Sequence, residues 1–173
     1  MQYWLIKSEP DTFSIQDLAR APRKTTGWEG VRNYQARNFL RAMKKGDLAI
    51  FYHSNAEPPA AVGVARVVRE AYPDDTAWNP KSPYHDPKAS PANPLWSRVD
   101  VQLLEIFARA IPLDELRQVK ALAGMELLRR GSRLSVTPVT AAEFRTIEKL
   151  ARAKPPAAAA PAAKPRPGNR RGG

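Results

Sequence analysis

No cysteine occurs in the 173 residues. That absence excludes a disulfide scaffold, a thiolate metal site, a cysteine nucleophile and a thiol redox switch together. Histidine is almost as scarce. With only His53 and His85, a metal site would need carboxylates supplied by the fold, and no HExxH or comparable spacing offers them. No window approaches the ~20 apolar residues of a membrane-spanning helix, and Met1 leads into Gln-Tyr-Trp-Leu-Ile-Lys without the basic and apolar regions of a signal peptide. A soluble cytoplasmic protein with no membrane partner is expected. Gly27-Trp-Glu-Gly30 fits neither a GxGxxG nor a Walker loop, and no GxSxG elbow is present. Neither a cofactor nor a catalytic constellation is therefore expected.

Acidic residues are also few. Seventeen Asp and Glu face 28 Lys and Arg, giving a formal charge of +11 and a pI near 10.3. Such a surplus concerns partners rather than fold and points to a polyanion. It is unevenly placed. From Ala151 to Gly173 the chain holds eight Ala, five Pro, three Gly, one Asn and six basic residues, without an acid or a large apolar side chain. That composition cannot offset its own ordering entropy, so residues 151–173 read as a disordered basic tail. Residues 1–150 keep 22 basic against 17 acidic residues, a surplus of +5. At 43% hydrophobic the chain can bury a core, and roughly 100 to 200 residues make one domain. A monomer is the expected state.

The body reads as mixed α and β. Tyr3 to Lys7 is a short apolar run suited to a buried strand. Ser14-Ile-Gln-Asp17 resembles a capping box opening a short helix through Arg20, with Ile15 and Leu18 inward. Ala36, Phe39, Leu40 and Met43 fall on one face of a helix over 33–43, which Lys44-Lys45-Gly46 brings to an end. Leu48 to His53 and Ala61 to Tyr72 read as paired strands joined by a turn at Ser54–Pro59. Six prolines between Pro73 and Pro94 predict a long ordered loop, packed through Tyr72, Trp78 and Tyr84. Trp96 to Phe107 is a strand, Pro112 to Val119 and Met125 to Arg129 are helical, Leu134 to Val139 is a strand broken by Pro138, and Thr140 to Leu150 is a capped closing helix. A small α+β domain follows, with a strongly bent or closed sheet and peripheral helices.

Polar and aromatic residues collect at the ends of these elements. The indole of Trp28 can stack on a planar base, and the Asn33 amide offers donors and an acceptor to a base edge. Ser8, Ser54 and Asn55 can add short hydrogen bonds, while Arg32 and Arg37 suit phosphate. Each has a plainer alternative. Trp28 on its own is more often core than ligand, Asn33 can be a helix N-cap, Ser54-Asn55 is ordinary turn chemistry, and the two arginines can form a solvated helix face.

Taken in order, several segments form a pattern: Tyr3-Trp-Leu-Ile-Lys-Ser-Glu-Pro10, Trp28-Glu-Gly-Val-Arg-Asn-Tyr-Gln-Ala-Arg-Asn38, Gly46-Asp47, Tyr52-His-Ser-Asn55, Tyr84-His-Asp-Pro-Lys-Ala-Ser90 and Arg133-Leu-Ser-Val136. Together they resemble the EVE domain family over essentially the whole body. The resemblance implies a PUA-like fold, a bent or closed β-barrel with peripheral helices in a single domain, related to YTH and ASCH domains. It also implies a pocket that holds a nucleobase, often a modified one, from RNA or DNA. Its candidates here are Lys7, Ser8 and Glu9, then Trp28, Arg32, Asn33, Tyr34 and Gln35, then Ser54 and Asn55, with Pro73 and Asp74 beside them. Arg37 is the candidate phosphate contact. The expected function is noncatalytic binding of nucleic acid through one base. The rivals are a hydrolase or nuclease acting on modified nucleic acid through Glu9, Glu29 or Asp74, and a sensor of a free nucleoside or small anion.

Overall fold

In the computed structural model, which describes residues 1–155, the first strand is apolar on both faces because both faces are covered. In β1 (Tyr3–Ser8), Trp4 and Ile6 enter one core and Leu5 enters another. The same alternation recurs in β3 (Leu48–His53), where Ala49 and Phe51 face the first core and Ile50 and Tyr52 the second. Successive strand side chains point to opposite faces, so a doubly covered strand reads as an unbroken apolar run.

Six strands form one mixed sheet in the order β2-β5-β4-β3-β1-β6. β1 runs parallel to β3 and antiparallel to β6 (Val136–Val139). β4 (Ala60–Pro73) and β5 (Ser97–Pro112) make a long antiparallel pair whose register shifts four times. Such irregularities bend strands and increase their twist. The sheet is bent, but its ladder does not close into the barrel that the resemblance implied: β2 (Thr25–Gly27) and β6 remain its two edges. β2 has no counterpart in the sequence reading, since three residues are too few to show a period.

Four helices cover the sheet. α1 (Ile15–Arg20) and α2 (Tyr34–Ala42) close the first core with Ile15, Leu18, Ala36 and Leu40. α3 (Leu113–Arg117) and α4 (Ala141–Arg152) close the second with Leu116, Phe144, Ile147 and Ala151. The capping box is formed: Ser14 accepts from Asp17 N and the Asp17 carboxylate accepts from Ser14 N. Met125 to Arg129 gives only a single 3-10 turn over Glu126–Leu128. Pro138 does not break its strand, because β6 is an edge and a missing N–H is tolerated there. α4 continues two residues past the expected end of the body; the expected basic tail otherwise lies almost wholly in 156–173, outside the described residues. The proline-rich loop is ordered around a small core of Ala77, Ala89 and Trp96. The Trp96 indole N–H donates to Asp86 at 2.7 Å. Among the described residues no helix is long and apolar enough to cross a membrane.

Candidate functional site

The C-terminal end of β1, the segment leaving β2 and the loop before β6 meet around a pocket of about 440 Å³. Trp28 forms its floor. This side chain is only 7% exposed, and its ring stands edge-on to Phe51 (5.4 Å, 86°) and Phe13 (6.3 Å, 84°). Both readings of Trp28 therefore hold at once: it is core, and its remaining surface lines the pocket. The indole N–H groups of Trp4 and Trp96 are taken up by Asp47 and Asp86. That of Trp28 finds no acceptor among the described residues and is not sealed from solvent.

Tyr84 makes one wall, and Gly30 is what lets it approach. Gly30 has φ +82°, and a Cβ there would lie 2.7 Å from Tyr84 Cε1. Only glycine adopts that backbone readily while leaving room for the ring. The same segment is tied down from below by Asp74, which is fully buried. Asp74 accepts hydrogen bonds from the Gly30 amide (2.9 Å), Arg32 (2.9 Å), and the Thr76 amide and hydroxyl (3.1 and 2.6 Å). Burial alone would raise the Asp74 pKa. The donors on Thr76, Gly30 and Arg32, with the Arg32 charge, outweigh it and hold the carboxyl below its ordinary value.

Lys7, Ser8 and Glu9 reach the pocket from the end of β1, as Thr12, Thr26 and Ser135 do from neighbouring segments. Ser8 Oγ donates to the Phe13 carbonyl, holding that aromatic against the floor. Half-burial pushes the Lys7 ammonium pKa down, with Glu126 acting against the shift. Glu29 lies at the rim, paired with Arg98 at 3.0 Å.

Four of the candidates named from sequence thus come together: Lys7, Ser8, Glu9 and Trp28. The others do not line this pocket. Asn33 is the N-cap of α2, its Oδ1 accepting from Ala36 N at 3.0 Å. Arg32 is held by Asp74, Thr76 and the Tyr84 carbonyl. Tyr34, 55% exposed, stacks outside on Trp96 at 4.8 Å. Arg37 lies over the Tyr34 ring and donates to the Leu95 carbonyl, while Gln35 faces solvent. Pro73 is exposed at the end of β4. Ser54 and Asn55 line a separate hollow that shares Lys7 with the first. Phe13, Thr12 and Thr26 escaped the sequence reading; Tyr84 and Ser135 stood inside quoted motifs without being named for the pocket.

His53 is occupied elsewhere. Its Nε2 accepts from Ile15 N at 3.1 Å, and burial lowers its pKa, so the ring is neutral and serves the start of α1. Among the described residues no group of three His, Asp or Glu side chains gathers as a metal site would.

A bent, mixed six-stranded sheet clad by four helices, with an aromatic-floored pocket at one end, defines a PUA-like domain. The profile of the EVE domain family matches residues 2–150, and the chain belongs to that family. Thymocyte nuclear protein 1 of Rattus norvegicus is 48% identical over 170 residues, covering 88% of this chain and 75% of its own. A solved protein from Pseudomonas putida shares 50% identity, covering 86% of this chain and 99% of its own, with a TM-score of 0.83. Human THYN1 protein, solved in complex with 5-methylcytosine-containing DNA, shares 45% identity over 90% of this chain and 100% of its own, with a TM-score of 0.86.

Proposed function

We propose that this chain binds nucleic acid without catalysis and holds one modified base, 5-methylcytosine being the first to try, in the pocket floored by Trp28. The observation that carries the reading is the pocket's construction. Trp28, Phe13 and Tyr84 offer π surface, and Ser8, Thr26 and Ser135 line the pocket with hydroxyls. A planar base stacks on such surface, and its substituents are sorted by shape and by hydrogen bonds at its rim. The 5-methylcytosine DNA held by the human relative supports the same reading. Of the rival catalytic carboxylates, Asp74 is committed to Arg32 and Gly30 and Glu29 to Arg98, while Glu9 lines the pocket without an ion-pair partner among the described residues.

Fluorescence anisotropy with oligonucleotides that differ only in one 5-methyl group tests it. Wild-type protein is expected to prefer the methylated strand. Tyr84→Ala is expected to weaken binding of that strand about tenfold, a stacked base being worth about 1–3 kcal/mol. Trp28→Phe keeps an aromatic ring in the core at a smaller stability cost than alanine and is expected to erode the preference. Trp28→Ala is a poor probe, since removing so buried an aromatic costs about 3–5 kcal/mol of stability. Preference unaltered in both Tyr84→Ala and Trp28→Phe would place the base elsewhere.

A further inference from the structure

Beside the base pocket lies a hollow of about 580 Å³, and the two share Lys7 as a common wall. The sheet makes them neighbours. β1 and β3 run parallel with Lys7 paired to Tyr52, and past the strands Ser54 N donates to the Ser8 carbonyl at 3.0 Å. Alternation along β1 then separates the side chains: Ser8 follows Ile6 toward the base pocket, while Lys7 follows Leu5 to the face that holds Tyr52.

The hollow is basic. Among the described residues Lys7, Arg117, Arg129 and Arg130 line it, and no carboxylate does. Arg129 is neutralised by Glu126 at 2.6 Å, and Arg117 is held only loosely by Asp114 at 4.0 Å. Lys7 and Arg130 have no ion-pair partner among the described residues. Tyr52 supplies an independent sign of a ligand. It is 3% exposed and lines the hollow, yet its hydroxyl has no hydrogen-bond partner among the described residues and is not sealed from solvent. A buried polar group left without a partner costs stability unless a ligand or water meets it. Burial raises this phenol to about 12, against the opposing pull of Arg117, so the hydroxyl keeps its proton and can donate. A neutral phenol donor, an ammonium and a guanidinium around one hollow form a donor set for an anion.

Resting on the nucleic-acid reading above, we propose that this hollow seats a phosphodiester flanking the base held over Trp28, with Arg130 and Tyr52 donating to its oxygens and Lys7 bridging base and backbone. The two hollows are then successive stations of one strand. Phosphate contacts of this kind fix register without reading sequence.

The test uses full-length protein and methylated oligonucleotides carrying one uncharged methylphosphonate linkage, placed immediately 5′ or 3′ of the modified base. In wild type, neutralising the seated linkage is expected to lower affinity about tenfold. In Arg130→Gln and in Tyr52→Phe the same replacement is expected to cost less than threefold, because the partner group is already gone. The preference for the methylated base should survive in both variants, and Arg130→Gln should lower the salt slope by about 1. Equal losses in wild type and variants, or no loss at either linkage, would overturn the proposal while leaving the base reading intact. Coupling to the linkage without any base preference would keep the phosphodiester site and sink the base reading instead.

Discussion

Asp74 shows how a residue outside a pocket's lining can shape it. Its four donors converge from the Gly30 amide, Arg32 and Thr76, and they fasten the turn that carries Trp28 to the loop that carries Tyr84. Replacing it by Asn keeps the shape but removes the charge that Arg32 needs, leaving a guanidinium that is 22% exposed without its counter-ion. The expected loss is roughly 2–3 kcal/mol of unfolding free energy at neutral pH, read by urea denaturation. The pH dependence follows from the depressed carboxyl. Its folded pKa lies below the ordinary carboxylate value of about 3.9, so its contribution is complete above that value and is lost as the pH falls through the folded one. The gap between wild type and Asp74→Asn should therefore stay constant from pH 7 to about 4 and narrow below. A gap that widens on acidification would mean that Asp74 is not held as the anion.

At the scale of elements, the start of α2 decides which neighbours of Trp28 can share its pocket. Asn33 spends its Oδ1 on Ala36 N, and the helix that follows turns Tyr34 and Gln35 outward while Ala36 and Leu40 enter the core. Asn33→Ala should cost about 1 kcal/mol by denaturation, and Asn33→Ser should recover most of it, with the preference for a methylated base unchanged in both. Collapse of that preference in a folded Asn33→Ala would restore the side chain to the ligand. This helix also marks how far sequence carried. Caps were legible because Ser14 and Asn33 act within three residues of themselves, and β1, β3, β4 and β5 were legible because their apolar runs are long. The pocket was half legible. Lys7, Ser8, Glu9 and Trp28 lie at element ends, whereas Phe13, Thr26 and Tyr84 reach it only through tertiary packing that no local pattern encodes. Tyr34 and Gln35 are close to Trp28 in sequence but do not line its pocket, because a helix boundary intervenes. Ser54 and Asn55 line the hollow on the other side of Lys7, not the pocket over Trp28.

Across the whole molecule, the proposed function assigns charge and recognition to different parts of the chain. The pocket over Trp28 is lined by aromatic rings, hydroxyls, backbone and the carboxylates of Glu9 and Glu29, with Lys7 its one basic residue among the described residues. Most of the +11 lies elsewhere, and four basic residues (Lys164, Arg166, Arg170, Arg171) follow Pro155. Contacts from such residues to phosphate strengthen binding through counterion release. Each contributes about 0.9 to the slope of log affinity against log salt on duplex DNA and about 0.7 on single strands. Ending the chain at Pro155 should therefore weaken binding at 50 mM salt, flatten the slope by no more than about 3 to 4, and make the two proteins converge as salt screens the lost contacts. The ratio of affinities for methylated and unmethylated strands should not move, since both bind the same phosphates and differ only where the body holds the base. Titrations at four salt concentrations on both strands measure slope and ratio together. A ratio that falls with truncation would make the basic end part of base recognition, whereas an unchanged slope would remove it from the phosphate contacts.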